Sequence, residues 1–205
     1  MPASRLPSGH TVEITTVADR PDLAGTDIDV GPWPEFMRHR RMGAGGRVGL
    51  RRRTAGRRTD CRLCAEHQRG SKLPGQELAG LLLAALRKAA ADLGLTSLDA
   101  PVRPTAKHLE PLTPMRDYAY RTREDGLPSD PWLRTHVRVG GQLAGLAPAS
   151  WVVTGSLEEW RRWTGLPFDR SGAVEVPGAL SLVHCDVDGD CATYVESNVW
   201  VRHRL

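Results

Sequence analysis

The sequence predicts an α/β fold within a single domain spanning residues 1–205. Three observations lead there. Leu78–Leu93 carries apolar residues at helical spacing. A strand-like run, Leu95–Val102, follows that helix with almost no loop. Beyond residue 133 the chain alternates β-prone runs with turn signals, which marks a β-rich C-terminal part.

In chain order, Thr11–Val17 reads as a strand, because β-branched residues dominate it and it lacks Gly and Pro. Ala18–Leu23 reads as a helix entry with Asp19 as N-cap, and Pro34–Met37 as a short helical turn. Residues 10–42 therefore form an N-terminal strand with helices. Residues 43–64 are different. Gly43, Gly45, Gly46, Gly49 and Gly56 alternate with arginines and show no apolar periodicity, the pattern of an irregular segment.

The helix at Leu78–Leu93 puts Leu78, Leu81, Leu82, Ala85, Leu86, Ala89 and Leu93 on one broad apolar stripe. Glu77 suits its positive end, and Gly94 fits the left-handed position that stops a helix. Glu110–Pro131 is polar and Pro-rich, with a short helix expected at Met115–Thr122. Leu133–Leu146 reads as a hairpin turning at Gly140-Gly141, since His136 and Arg138 alternate with Val137 and Val139. Trp151–Val153 is a further strand. Ser156-Leu157-Glu158-Glu159 forms a capping box, and the helix it starts ends at Gly165. Leu180–Cys185 and Thr193–Arg202 pair as a hairpin around Asp188-Gly189.

Composition narrows the function classes. Hydrophobic residues make up 40% and charged residues 25%, which is ordinary for a globular chain. The longest apolar run, Leu81–Leu86, is far shorter than a membrane span, and Met1–His10 lacks the apolar stretch of a signal peptide. The expectation is a cytoplasmic protein without a membrane partner. The net charge of +4 is uneven: ten arginines and one acid lie between Arg38 and Arg62, so the remainder of the chain is acidic.

Several blocks resemble a known family. Glu66-His67-Gln68-Arg69-Gly70-Ser71-Lys72-Leu73, the long helix and the strand Ser97–Val102 together resemble the acyl-CoA-binding core of the GNAT N-acetyltransferase superfamily. Arg103–His108, Thr113–Tyr118, Asp125–Arg134, Glu159–Phe168 and Asn198–His203 look like one poorly characterised branch of it. The resemblance covers residues 10–42 and 63–205. It implies a mixed central sheet flanked by helices, with the central strands shortened or disrupted by residues 43–64. It also implies an acyl-CoA-binding core at residues 65–132, followed by the β-rich part at residues 133–205.

The resemblance further implies acetyl-CoA as co-substrate and a small-molecule or peptide amine as acceptor. A glycine-containing turn before a helix aims backbone amides and the helix dipole at one spot, which suits a pyrophosphate. The candidates for holding it are Gln68, Arg69, Gly70, Ser71, Lys72 and Gly75. They depart from the family pattern Arg/Gln-x-x-Gly-x-Gly/Ala, since the glycine comes one place early when counted from Gln68. Tyr118 and Tyr120 are the candidate acids for the departing thiolate, and Glu110, with His108 near it, the candidate proton relay.

Other readings compete. One is a folded GNAT remnant without turnover. Another is a nucleic-acid-binding module built on the arginine run, which the lack of interleaved aromatics speaks against. Cys61-x-x-Cys64-x-x-His67 has metal-like spacing, but it supplies one tight pair where a closed zinc site needs four ligands, so no metal is expected. Asp186–Asp190 lacks the glycine placement and distal acid of a calcium loop. An exposed sheet edge would invite a second copy, making a homodimer.

Overall fold

The computed structural model describes residues 4–5, 11–12, 49–50, 59–60 and 75–205. Its first four strands are two-residue pieces: β1 (Ser4–Arg5) pairs β2 (Thr11–Val12), and β3 (Gly49–Leu50) pairs β4 (Thr59–Asp60). The expected helix entries at Ala18 and Pro34 lie outside the described residues, as does the strand beyond Val12.

Helix α1 (Gly75–Asp92) buries Leu83, Leu86 and Ala90, which are spaced three and four residues apart. The expected stripe is rotated: Leu81, Ala85 and Ala89 flank the contact, and Leu93 lies beyond the helix end, half exposed. Gly94 takes φ +73°, its amide bonding Ala91 O and the next amide, Leu95, bonding Ala90 O. This is the left-handed stop expected of that glycine. Strand β5 (Ser97–Val102) then buries Leu98 and Val102.

The chain next makes a 3-10 turn at Lys107–Leu109 and one helical turn, α2 (Met115–Tyr118). The expected hairpin at Leu133–Leu146 is instead helix α3 (Pro131–Arg138) followed by strand β6 (Gly141–Gly155). Asp130 caps α3 by accepting from the Trp132 and Leu133 amides, and Pro131 occupies the first turn, where its missing N–H does no harm. Leu133 and His136 share the buried side at helical, not strand, spacing. Gly140 stops α3 at φ +89° rather than turning a hairpin. Gly141 opens β6 under close packing, for a Cβ there would sit 2.7 Å from the His136 carbonyl oxygen and 2.8 Å from Val201 Cγ1.

Helix α4 (Leu157–Thr164) has the expected capping box: Ser156 Oγ accepts from the Glu159 amide, and the Ser156 amide donates to the Glu159 carboxylate. Gly165 ends it at φ +70°. Strands β7 (Gly172–Val174), β8 (Val183–Asp186) and β9 (Cys191–Arg204) complete the sheet. The β8–β9 hairpin closes at the Asp186–Cys191 pair, so its loop has four residues, not the expected two. The left-handed residue is Asp190, while the Gly189 amide donates to Asp186 Oδ1.

Strand β9 is central. Along one edge it pairs β6; along the other it pairs β8 at residues 191–194 and β5 at residues 199–204. Every pairing among the described strands is antiparallel. The expected mixed character of the sheet is therefore not seen among the described strands. Buried positions on β9 run Ala192, Tyr194, Glu196, Asn198 and then Val199, Val201, His203. Alternate strand residues point to opposite faces, so the two halves of β9 bury opposite faces of the sheet. Ala192 and Tyr194 join Val153, Val183, Trp160, Trp163 and Phe168 in one core under α4. Val199 and Val201 join Val102, Leu133 and Ala119 in a second core under α2 and α3.

The second core closes on a histidine pair. His136 Nδ1 and His203 Nε2 lie 3.0 Å apart, both rings buried, with Trp132 edge-on to His136. Arg87 ties the same corner, donating to Val139 O at 2.7 Å and Arg204 O at 3.1 Å. Burial, then the neighbouring His203, brings His136 from 6.5 down to about 3. Burial, then the Arg87 charge, lowers His203. A histidine lowered on folding stabilises the fold fully above its unfolded value and loses that contribution as pH falls towards its folded value. Denaturant unfolding should therefore be level above pH 6.5 and weaken below it, by up to about 1.4 kcal/mol per pH unit per histidine. His136→Phe should flatten that slope in urea titrations between neutral and mildly acid pH. An unchanged slope would remove the pair from the explanation.

Candidate functional site

The segment leaving β5 holds the described candidates. Its framework is a set of buried polar groups, each with partners on the protein. Arg103 donates through Nε to Glu196 Oε2 at 2.9 Å and through Nη2 to Gly178 O at 2.9 Å. Tyr194 donates to the same Glu196 oxygen at 2.7 Å and accepts from the Leu180 amide. The carboxylate is 1% exposed, so this ion pair is bonded as a buried charge must be.

Lys107 is also 1% exposed, and no carboxylate among the described residues forms an ion pair with it. Its ammonium donates to Glu110 O and Leu180 O, both at 2.6 Å, and lies 5.8 Å from the Tyr118 ring centroid. Burial lowers its pKa; the nearby Glu110 charge acts the other way. Asp130 is the hub beneath. One carboxylate oxygen caps α3; the other accepts from the Ala106 amide and from Tyr118 Oη, both at 2.9 Å. Four bonds from one buried side chain thus join the β5 exit, α2 and α3.

These partners settle what each candidate can do. Tyr118 is buried and its proton is committed to Asp130. Burial, then the Asp130 charge, pushes its pKa well above the ordinary tyrosine value, so it keeps that proton. Glu110 is partly exposed and accepts from Arg121 Nη1 at 2.8 and 3.0 Å and from Thr113 Oγ1 at 3.1 Å. Those bonds, Arg121 first, hold its carboxyl below the usual range and therefore ionised. Arg121 also lies over the Tyr118 ring at 5.7 Å, which brings Glu110 and Tyr118 into one cluster. Tyr120 is half exposed, and Leu109 and Leu112 of the same segment are exposed as well. His108 Nδ1 is 2.8 Å from Thr105 O within its own turn.

Gln68, Arg69, Gly70, Ser71 and Lys72 lie outside the described residues, and Gly75 is the first residue of α1. Cys61, Cys64 and His67 also lie outside them. Cys185 is buried in the α4 core while Cys191 pairs with Asp186, so the two face opposite sides of the hairpin. Among the described residues no helix is long and apolar enough to cross a membrane, and no group of three potential metal ligands converges.

Sequence reasoning missed Lys107, Asp130, Arg103 and Glu196. Asp130-Pro131 carries a helix-start signal, and Tyr194, Glu196 and Asn198 share one strand face by simple alternation. Nothing in the sequence marks Lys107 as buried.

No family model matches the chain, and no solved structure matches it. Among curated proteins it is similar to the arginine N-acetyltransferase avaD of Aspergillus versicolor, with 34% identity over 148 residues, covering 63% of this chain and 51% of the relative. The chain thus spans about half the length of the curated relative it matches.

Asp130→Ala should destabilise the protein by about 3 kcal/mol, since it removes a helix cap and strands the buried Tyr118 hydroxyl and Ala106 amide. Thermal and urea unfolding measure this. A loss of under about 0.5 kcal/mol would show that Asp130 is not the hub described here.

Proposed function

We propose that this protein is a GNAT-type N-acyltransferase that moves an acetyl group from acetyl-CoA to an amine, with arginine or an arginine-bearing molecule as acceptor. The observation that carries the reading is the 34% identity to a protein named for acetyl transfer to arginine. The motif blocks at Arg103–His108 and Asp125–Arg134, which surround the Asp130 hub, add support.

In this reading the acceptor nitrogen attacks the thioester carbonyl carbon, the carbon–sulfur bond breaks, and the thiolate leaves with a proton. Tyr120 is the proton donor, because it is half exposed while the hydroxyl of Tyr118 is bound to Asp130. Tyr118, Lys107 and Asp130 position the segment. Glu110 stays ionised at neutral pH. It takes the amine's proton through water, and water returns that proton to the phenolate left on Tyr120. The turn Gln68–Lys72, together with Gly75 at the start of α1, holds the pyrophosphate with backbone amides.

Thiol release from acetyl-CoA, followed with a chromogenic disulfide, tests the proposal. Turnover should require arginine or a close analogue. Tyr120→Phe should lower kcat by about 10–100-fold while leaving the melting temperature unchanged. A folded protein that releases no thiol with any amine would favour the remnant without turnover.

A further inference from the structure

Glu110 is held through its backbone and through its side chain. Its carbonyl oxygen accepts from Lys107 Nζ at 2.6 Å and from the Thr113 amide at 3.1 Å. At the carboxylate, Arg121 Nη1 donates to both oxygens, at 3.0 and 2.8 Å, and Thr113 Oγ1 donates to Oε2 at 3.1 Å. The ion pair is open to solvent, with Arg121 44% and Glu110 42% exposed. Exposed pairs add little to stability, because water screens them and two long side chains must be held still. The main effect of this pair is therefore on where the carboxylate sits.

Arg121 is itself fixed. Its amide donates to Tyr118 O at 3.2 Å, its carbonyl oxygen accepts from the Ser129 amide at 2.8 Å, and the next residue, Thr122, bridges to Pro128. Its guanidinium lies 5.7 Å from the ring centroid of Tyr118, whose hydroxyl is bound to Asp130. Tyr120 follows buried Ala119 and directly precedes Arg121 in the chain. One arginine thus connects the turn that carries Tyr120 to the carboxylate of Glu110.

We propose that Arg121 is a positioning residue for acyl transfer: it holds the Glu110 carboxylate against the Tyr118–Arg121 turn, so that one rigid unit presents both the proton acceptor and the proton donor. This role rests on the acyl-transfer reading above. It requires no contact between Arg121 and either acetyl-CoA or the acceptor. Both contacts to Glu110 come from a single nitrogen rather than from a guanidinium fork. A lysine ammonium can therefore replace part of them, whereas a glutamine amide supplies no charge.

Thiol release from acetyl-CoA with arginine, together with a carbon NMR titration of the Glu110 carboxyl, tests this. Arg121→Gln should lower kcat by about 10–100-fold with KM for arginine little changed, since misplacing a proton acceptor slows the chemical step. It should also raise the Glu110 pKa towards the ordinary glutamate value, because its strongest lowering contact is gone while Thr113 and Lys107 remain. Arg121→Lys should recover part of the lost kcat. Both variants should melt like the wild type, because the pair is exposed. Arg123→Gln is the control: Arg123 lies 3.6 Å from Asp125 and is half exposed, so kcat should not change. A wild-type protein that turns over while Arg121→Gln matches its kcat, or while Arg123→Gln loses as much, would overturn the role of Arg121 alone. A folded wild-type protein that releases no thiol would withdraw the acyl-transfer reading, and this role with it.

Discussion

The described structure depends on one strand facing two ways. β9 sends Ala192, Tyr194 and Glu196 to one side of the sheet and Val199, Val201 and His203 to the other. α4 packs on one core and the α2–α3 pair on the other, and both bury their apolar faces on this strand. Cross-strand rows carry each core outwards: Val153–Tyr194–Val183 in the first, Leu143–Val201–Ala100 in the second. A one-residue slip of β9 would turn both sets to solvent together, so its register is fixed from two sides.

The place where β9 changes face is also where buried charge collects. Between the residues paired with β8 and those paired with β5, the β9 edge has no strand partner among the described residues. Arg103 and the chain at Gly178–Ser181 fill that gap: Arg103 reaches Glu196 and Gly178 O, and Ser181 Oγ donates to Val195 O. Leu180 extends the connection to Lys107 through its carbonyl oxygen. The β5 exit therefore rests on a bonded polar framework rather than an apolar one. A charged group left unpaired there would be strongly destabilising, which favours a single arrangement of the segment. That rigidity suits the proton transfer proposed for this segment, and Tyr120 and Glu110 remain accessible to solvent.

Much of this was legible in the sequence where the signal was local. The Ser156–Glu159 capping box, the glycine stops at Gly94 and Gly165, and strands β5 and β9 follow from chemistry within a few residues. Leu133–Leu146 was misread because the alternation His136-Val137-Arg138-Val139 imitates a strand over too short a window, while the deciding cap lies just upstream at Asp130. The α1 stripe was placed on the right helix but on a neighbouring face, since a helix this rich in Leu and Ala offers several apolar faces and only packing selects one. At the site, Tyr118 and Glu110 were found by residue type. Their partners Asp130 and Arg121 were not, because long-range hydrogen bonds leave no periodic trace.

The central functional claim is that the chain uses an acyl-CoA donor, and acetyl-CoA binding measured by isothermal titration calorimetry tests it most directly. A saturable one-site isotherm in the micromolar range is the predicted result. Absence of binding heat up to millimolar acetyl-CoA, from protein shown to be folded by its circular dichroism melt, would contradict it.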